Sequence, residues 1–64
     1  MSLGENIKHF RESNNMTIKE LAEKMGVQRT TIVLWEADKT APKLGKLVAM
    51  CDVLSCDIDD LIIR

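Results

Sequence analysis

The sequence has few of the residues that build metal, disulfide or base-stacking sites. It contains one histidine, two cysteines, one tryptophan, one phenylalanine and no tyrosine. Cys51 and Cys56 do not stand in a CxxC spacing, and a single histidine does not complete a four-ligand zinc site with them. Two aromatic residues are too few for a surface that stacks single-stranded bases. The sequence therefore predicts no metal and no cofactor, and we interpret the cysteines, Phe10 and Trp35 as core residues.

Long apolar runs and the usual signals of catalysis are also lacking. No apolar stretch approaches the roughly 20 residues that a bilayer-spanning helix needs, and we expect no targeting segment at the N-terminus. The chain also lacks a convergent set of His, Cys and Ser residues, paired carboxylates and a glycine-rich phosphate loop. We therefore expect residues 1–64 to form a single soluble, cytoplasmic domain. We expect it not to be an enzyme and to have no membrane partner and no small-molecule ligand.

Charge is divided unevenly along the chain, although the net charge is only −1. Residues 1–46 carry eight Lys and Arg residues against six acidic residues, a net charge of +2. Residues 47–64 carry one Arg against four Asp residues, a net charge of −3. A polyanion would be attracted by the first segment and repelled by the second. We therefore expect any nucleic-acid contact to come from the front of the chain, with the acidic end facing away.

The spacing of apolar residues predicts an all-α fold with five short helices. Thr17 and Glu20 form the T-x-x-E capping box that starts a helix, and Gly26 supplies the positive φ that ends one. The β-branched run 30–33 would suit a strand, but the chain offers no second strand to pair with it. The predicted helices are Leu3–Ser13, Ile18–Met25, Arg29–Glu36, Lys43–Leu54 and Asp57–Ile62. We expect the fourth helix to bury a stripe formed by Leu44, Leu47, Met50, Cys51 and Leu54.

Two of the predicted helices are joined by a tight turn at Gly26, and this layout is typical of the DNA-binding helix-turn-helix. The run from Thr17 to Glu36, T-I-K-E-L-A-E-K-M-G-V-Q-R-T-T-I-V-L-W-E, resembles the Cro and phage-repressor helix-turn-helix family, also called the xenobiotic-response-element type. The family pattern is roughly T-Q-x-x-L-A-x-x-x-G-V-S-x-x-x-I-S-x-W-E. Its matches are Thr17, Leu21, Ala22, Gly26, Val27, Ile32, Trp35 and Glu36. The resemblance spans nearly the whole chain and implies a lambda-repressor-like DNA-binding domain with this motif as helices 2 and 3.

The resemblance also implies a function and a set of contact residues. It implies a sequence-specific transcriptional regulator that binds the major groove of double-stranded DNA, as a homodimer on a two-fold operator. The implied base-reading positions are Gln28, Arg29, Thr30, Val33 and Leu34. Among these, Arg29 suits a bidentate contact to guanine and Gln28 suits adenine. The expected phosphate-contacting positions are Thr17, Ile18, Lys19, Thr31, Lys39 and Lys43.

Two further predictions concern how the domain is held together and how it assembles. The family often joins its first helix to the end of its third through an ion pair, and the resemblance places this pair at Arg11 and Glu36. The C-terminal apolar cluster exceeds what one side of so small a domain buries. We therefore expect a dimer interface formed by Ile58, Leu61, Ile62 and Ile63.

The chain departs from the family pattern on the face that would meet DNA. Ile18 stands where the family has Gln, and Val33 and Leu34 are apolar. Gln28 replaces a better N-cap such as Ser, and Asp38 lies in a loop that usually contains glycine. These departures favour a second hypothesis, a protein–protein interaction module that keeps the fold without strong DNA binding. Steep loss of affinity with added salt distinguishes the DNA-binding hypothesis from this one.

Overall fold

The computed structural model describes residues 2–62 and confirms the all-α prediction. It has five α-helices, and no strand occurs in that range. The helices are α1 (Leu3–Ser13), α2 (Ile18–Met25), α3 (Arg29–Glu36), α4 (Leu44–Leu54) and α5 (Ile58–Ile62). The last two helices begin one residue later than predicted. For α4 the reason is that Lys43 is the N-cap, with extended backbone at φ −73° and ψ 164°.

Local hydrogen bonds explain where the first helices begin and end. The predicted capping box starts α2: Glu20 N–H donates to Thr17 Oγ1 (3.1 Å), and Thr17 N–H donates to Glu20 Oε1 (3.0 Å). An equivalent box between Ser2 and Glu5 starts α1, and its S-x-x-E pattern is visible in the sequence. Gly26 ends α2 with φ 69°. These caps satisfy amides that the first turn of a helix leaves without partners.

The core is built from all five helices. Fully buried side chains come from α1, α2, α3, α4 and α5, and they are Ile7, Leu21, Ile32, Met50, Leu54 and Leu61. Trp35 is 6% exposed, and Phe10, Cys51 and Cys56 are half-buried residues packed against this core. No helix among residues 2–62 is long and apolar enough to cross a membrane.

The predicted apolar stripe of α4 is wrong at its first residue. Leu44 is 68% exposed, whereas Met50 and Leu54 are buried as predicted. Leu44 is the first residue of α4, and helical side chains tilt toward the helix N-terminus. The side chain of Leu44 therefore points beyond the core, which begins a turn further along the helix.

Polar side chains on and after α1 fasten it to the last two helices. Asn6 Nδ2 donates to the carbonyl of Leu61 in α5 (2.7 Å), and this hydrogen bond is buried. Asn14 Nδ2 donates to the carbonyl of Leu54 at the end of α4 (3.0 Å). Both carbonyls lie at or near helix ends, where intrahelical donors run out. The first helix therefore holds α4 and α5 in place through specific hydrogen bonds as well as apolar packing.

The start of α1 also lies directly against the end of α3. A Cβ atom placed on Gly4 would be 2.5 Å from the carbonyl oxygen of Glu36 and 2.6 Å from that of Trp35. Such contacts are far inside van der Waals distance, so this backbone approach requires glycine at position 4. The C-terminal end of α3 is thereby seated on α1.

Candidate nucleic-acid interface

A turn of fixed geometry connects α2 to α3. Val27 N–H donates to the carbonyl of Ala22 (3.0 Å) and Gly26 N–H to that of Glu23 (3.3 Å). These bonds close the end of α2 in a Schellman-type arrangement around the left-handed Gly26. Val27 is half-buried against the core, so it anchors the turn. The relative orientation of α2 and α3 therefore follows from local hydrogen bonding together with one apolar contact.

The third helix has one buried and one exposed side. Ile32 (0% exposed) and Trp35 (6%) point into the core. All five predicted base-reading residues are exposed on the remaining surface of the helix and at its start: Gln28, Arg29, Thr30, Val33 and Leu34. The helix has 8 residues and is therefore about 12 Å long, which suits a major groove about 12 Å wide.

The exposed face of α3 combines hydrogen-bonding and apolar chemistry. Gln28 and Arg29 present donors at the start of the helix, and Gln28 forms no side-chain cap, as its residue type predicted. Val33 is 49% exposed and Leu34 is 42% exposed. The helix can thus offer donors to base edges and apolar atoms to thymine methyl groups.

An open depression of about 450 Å³ lies between α2 and the start of α3. It brings Lys19, a predicted phosphate contact, to the same surface as the predicted base readers Gln28 and Arg29. Its lining residues are Lys19, Ala22, Glu23, Val27, Gln28, Arg29 and Thr30. Glu23 is the one lining residue here whose charge opposes a phosphate.

The other predicted phosphate contacts have different degrees of exposure. Lys39 and Lys43 are exposed in the loop after α3, whereas Thr31 is half-buried. Ile18 is half-buried against the core, so its side chain has a packing role. What Ile18 offers to an anion is its backbone amide in the first turn of α2, where helix geometry leaves amides free and the helix dipole is positive.

Arg11 and Glu36 form a bidentate ion pair between α1 and α3. Arg11 Nε lies 2.6 Å from Glu36 Oε2, and Nη2 lies 3.1 Å from Oε1. Each side chain is 9% exposed, and the hydrogen bond to Glu36 raises the pKa of Arg11. Arg11 Nη1 also donates to the carbonyl of Met16 (2.8 Å), just before α2. One guanidinium therefore positions both ends of the helix-turn-helix.

Asp38 provides a contact that the sequence did not predict. Its backbone is left-handed (φ 59°), and its Oδ1 accepts a hydrogen bond from Gly4 N–H (2.9 Å). Hydrogen bonds from Ser2 and from the Gly4 amide lower the pKa of Asp38. Aspartate tolerates the left-handed region better than most residues, and that was the signal available in a loop where the resemblance implies a glycine. The carboxylate is thus held at the start of α1.

The predicted dimer residues are not all on the surface. Ile62 is 52% exposed, whereas Leu61 is fully buried in the core of its own chain. Ile58 is half-buried, and Ile63 lies outside the described residues. The structure places the side chain of Leu61 where a second copy does not reach it. An interface at α5 is therefore left with Ile62, supported by Ile58.

These features define the class of the domain. Two helices joined by a glycine-containing turn, with the second anchored by Ile32 and Trp35 and exposed on its outer face, form a helix-turn-helix. A family model described as helix-turn-helix matches residues 7–61. The chain belongs to this helix-turn-helix family, and its neighbours among solved structures include a phage repressor, as the resemblance implied.

Curated relatives are similar in sequence over most of this chain. An uncharacterised HTH-type transcriptional regulator of Archaeoglobus fulgidus is 42% identical over 57 residues, which cover 89% of this chain and 80% of the relative. The HTH-type transcriptional activator BcrR of Enterococcus faecalis is 34% identical over 62 residues. That match covers 97% of this chain but only 30% of BcrR, so the chain corresponds to one part of that protein.

Two solved structures share the fold. The P22 c2 repressor, in complex with a synthetic operator, has a TM-score of 0.90 at 29% identity and covers 97% of this chain and 94% of its own. SinR, a master regulator for biofilm formation solved in complex with DNA, has a TM-score of 0.84 at 30% identity. Its match covers 92% of this chain and 95% of the SinR chain. Both proteins confirm the lambda-repressor-like fold of this domain.

Proposed function

We propose that this domain is a sequence-specific, double-stranded DNA-binding transcriptional regulator that acts as a homodimer on a two-fold operator. The observation that carries the proposal is the face of α3, where all five predicted base readers are exposed while Ile32 and Trp35 anchor the helix. A relative that is an HTH-type transcriptional regulator, and neighbours solved in complex with an operator or with DNA, support it. We further propose a cytoplasmic site of action and a role in binding rather than catalysis.

In the proposed complex, α3 enters the major groove and reads base edges. Arg29 donates two hydrogen bonds to guanine, and Gln28 pairs with adenine. Val33 and Leu34 contact thymine methyl groups, and Thr30 reaches a base beside them. Since α3 is fixed at its far end by the Arg11–Glu36 pair, these side chains enter the groove on a rigid support.

Phosphate contacts in this proposal come from either side of α3. Lys19 and the amides of Thr17 to Lys19 approach one backbone strand at the positive end of α2. Lys39 and Lys43 approach the backbone from the loop after α3, and Thr31 approaches it from the first turn of α3. The net charge of +2 in residues 1–46 favours this approach, and the acidic end of the chain is then turned away from DNA.

Replacing Arg29 by alanine tests the proposed reading of bases. Selection of bound fragments from a genomic library with the unaltered protein should return a defined motif. For Arg29→Ala we expect affinity for that motif to fall by roughly tenfold to a hundredfold and one guanine position to lose its preference. Lys8→Ala is the matched control, because it removes one exposed charge from α1 and leaves α3 intact.

The same binding measurements decide between DNA and a protein partner. A domain with several phosphate contacts loses affinity steeply as salt is added. If the unaltered protein binds no duplex even at low salt, the DNA-binding proposal is wrong. The exposed side chains of Val33 and Leu34, together with the half-buried Ile18, would then form a docking face for another protein.

A second prediction concerns the apolar half of the reading face. If Val33 covers thymine methyl groups, uracil in place of thymine at the contacted position should weaken binding by roughly fourfold per covered methyl. Val33→Ala should bind thymine and uracil duplexes with equal affinity, because the contact is then absent from both. An equal thymine preference in the two proteins would show that Val33 does not read this methyl group.

A third prediction concerns the dimer. We expect Ile62→Glu to weaken binding to a two-fold operator by about tenfold, because it places a charge in an apolar interface. Val48→Glu is the matched control, since Val48 is also 52% exposed but lies on α4. Sedimentation with and without operator gives the mass of the complex. A monomer on the operator, or a defect in the Val48 variant alone, contradicts an interface at α5.

A further inference from the structure

Two cysteines lie close together where α4 ends and the chain turns toward α5. Ser55 adopts a left-handed backbone (φ 53°), and the carbonyl of Cys51 accepts hydrogen bonds from the N–H groups of Ser55 and, at 3.0 Å, of Cys56. The bond from Cys56 is the 6→1 bond of a Schellman helix end and the bond from Ser55 is the 5→1 bond of the αL motif; a contact between the first and sixth residues frequently accompanies such an end. In this chain both residues are cysteines, and both line the same surface depression.

The pair is reachable from solvent. Both cysteines are free and half-buried, with their inner sides against the core. On the outer side they line an open depression of about 320 Å³ together with Asp52, Ser55, Asp57 and Asp60. A small molecule can therefore approach either sulfur, and it does so through a negative potential created by the aspartates.

We propose that Cys51 and Cys56 form a dithiol site that small neutral or cationic disulfides oxidise to an intramolecular disulfide. One thiol loses its proton to solvent, and its thiolate attacks a sulfur of the disulfide RSSR. This step gives a mixed disulfide and releases one RS⁻, which takes up a proton. The second cysteine then loses its proton and attacks the protein sulfur of the mixed disulfide, releasing the second RS⁻, which is also protonated. Two electrons pass from the two cysteines to RSSR, which leaves as two RSH.

The surroundings of the two thiols affect how fast the disulfide forms and how slowly it is reduced. Burial, followed by the neighbouring thiol and aspartates, raises the pKa of Cys56 to about 11, and burial also raises the pKa of Cys51. Oxidation should therefore accelerate as pH rises, because only the thiolate attacks. Once formed, the disulfide should be reduced slowly, since a thiol with a high pKa is a poor leaving group.

The disulfide would constrain the junction between α4 and α5 and would not change the position of α3, the proposed reading helix. The principal packing partners of α4 and α5 are α2, α1 and each other, and α3 is held by its own contacts with α1 and α2. Oxidation should raise Tm by roughly 10–15 °C through the constraint on the unfolded chain. Affinity for duplex DNA should not change, so this proposal and the DNA-binding proposal fail independently.

Redox equilibration of the full chain tests the proposal. The protein is incubated with glutathione buffers in the folded state and in concentrated urea, and acid-trapped species are separated by mass. If the fold holds the two thiols close together, their effective concentration should be at least tenfold higher in the folded protein than in the protein unfolded by urea. An equal or lower value in the folded protein, or mixed disulfides that never close, overturns the proposal.

Two comparisons identify the residues and the charge preference. Cys51→Ser and Cys56→Ser should each stop at a mixed disulfide, because the resolving thiol is missing. For each disulfide, the oxidation rate of the folded protein is divided by the rate in urea. At low salt this ratio should be higher for the dicationic disulfide cystamine than for the anionic glutathione disulfide. Added salt should reduce the difference between the two ratios. Equal relative rates would contradict the role of the aspartates.

Discussion

Replacing Arg11 by alanine is expected to lower the free energy of unfolding by about 3 kcal/mol. The substitution leaves the carboxylate of Glu36, whose side chain is 9% exposed, without its counter-charge. It also removes the donor that Arg11 supplies to the carbonyl of Met16. A domain of this size rarely has more than about 5 kcal/mol of stability from its core. Urea unfolding followed by far-UV circular dichroism should therefore show a much lower midpoint with an unchanged slope.

Glu36→Gln is the milder partner of that substitution. The amide oxygen still accepts a hydrogen bond from the guanidinium, so we expect a loss of about 1 kcal/mol. Because Glu36 is the last residue of α3, the variant should also bind operator more weakly. Unchanged stability together with unchanged DNA affinity would show that the ion pair does not position the reading helix.

Replacing Gly4 by alanine is expected to cost about 3 kcal/mol, mainly through steric overlap. The added Cβ would lie 2.5 Å from the carbonyl oxygen of Glu36 and 2.6 Å from that of Trp35. Both neighbours are backbone atoms and cannot turn away as a flexible side chain would. Relief requires α1 to separate from α3, which also disturbs the hydrogen bond from Gly4 N–H to Asp38. Urea unfolding of the variant measures the loss directly.

The same substitution at Gly45 is the control and should have the opposite sign. A Cβ placed on Gly45 meets nothing within 4 Å, and Gly45 lies within α4. Alanine is favoured over glycine inside a helix by roughly 0.5–1 kcal/mol, so Gly45→Ala should stabilise the domain. Two equal losses would mean that the close approach of α1 to α3 is not what limits position 4.

Local signals explain why so much of the architecture was predictable. The capping box of Thr17 and Glu20, the left-handed Gly26 and the poor cap Gln28 each act within a few residues, and each behaves in the structure as its residue type predicts. Trp35, interpreted from the sequence as a core residue, is buried in α3. The predicted burial of Leu44 was wrong because periodicity shows which face of a helix is apolar but not how far along that face the core extends.

In the candidate interface, too, some features follow from the sequence and others depend on the packing of neighbouring helices. Exposure of Arg29, Val33 and Leu34 follows once Ile32 and Trp35 are assigned to the core, since a helix has only one buried side. The half-burial of Ile18 and the full burial of Leu61 depend instead on which neighbouring helix covers them. No spacing rule within α2 or α5 contains that information.

The sequence by itself determined the five helices, the motif from Thr17 to Glu36 and the exposed face of α3 that we propose reads DNA. Only the tertiary structure decided that Gly4 meets the end of α3 and that Asp38 reaches back to α1. The physical reason is range: caps and periodicity act over about one helical turn. Contacts between residues such as Gly4 and Glu36 depend on how whole helices pack, and helix packing is set by the complete core.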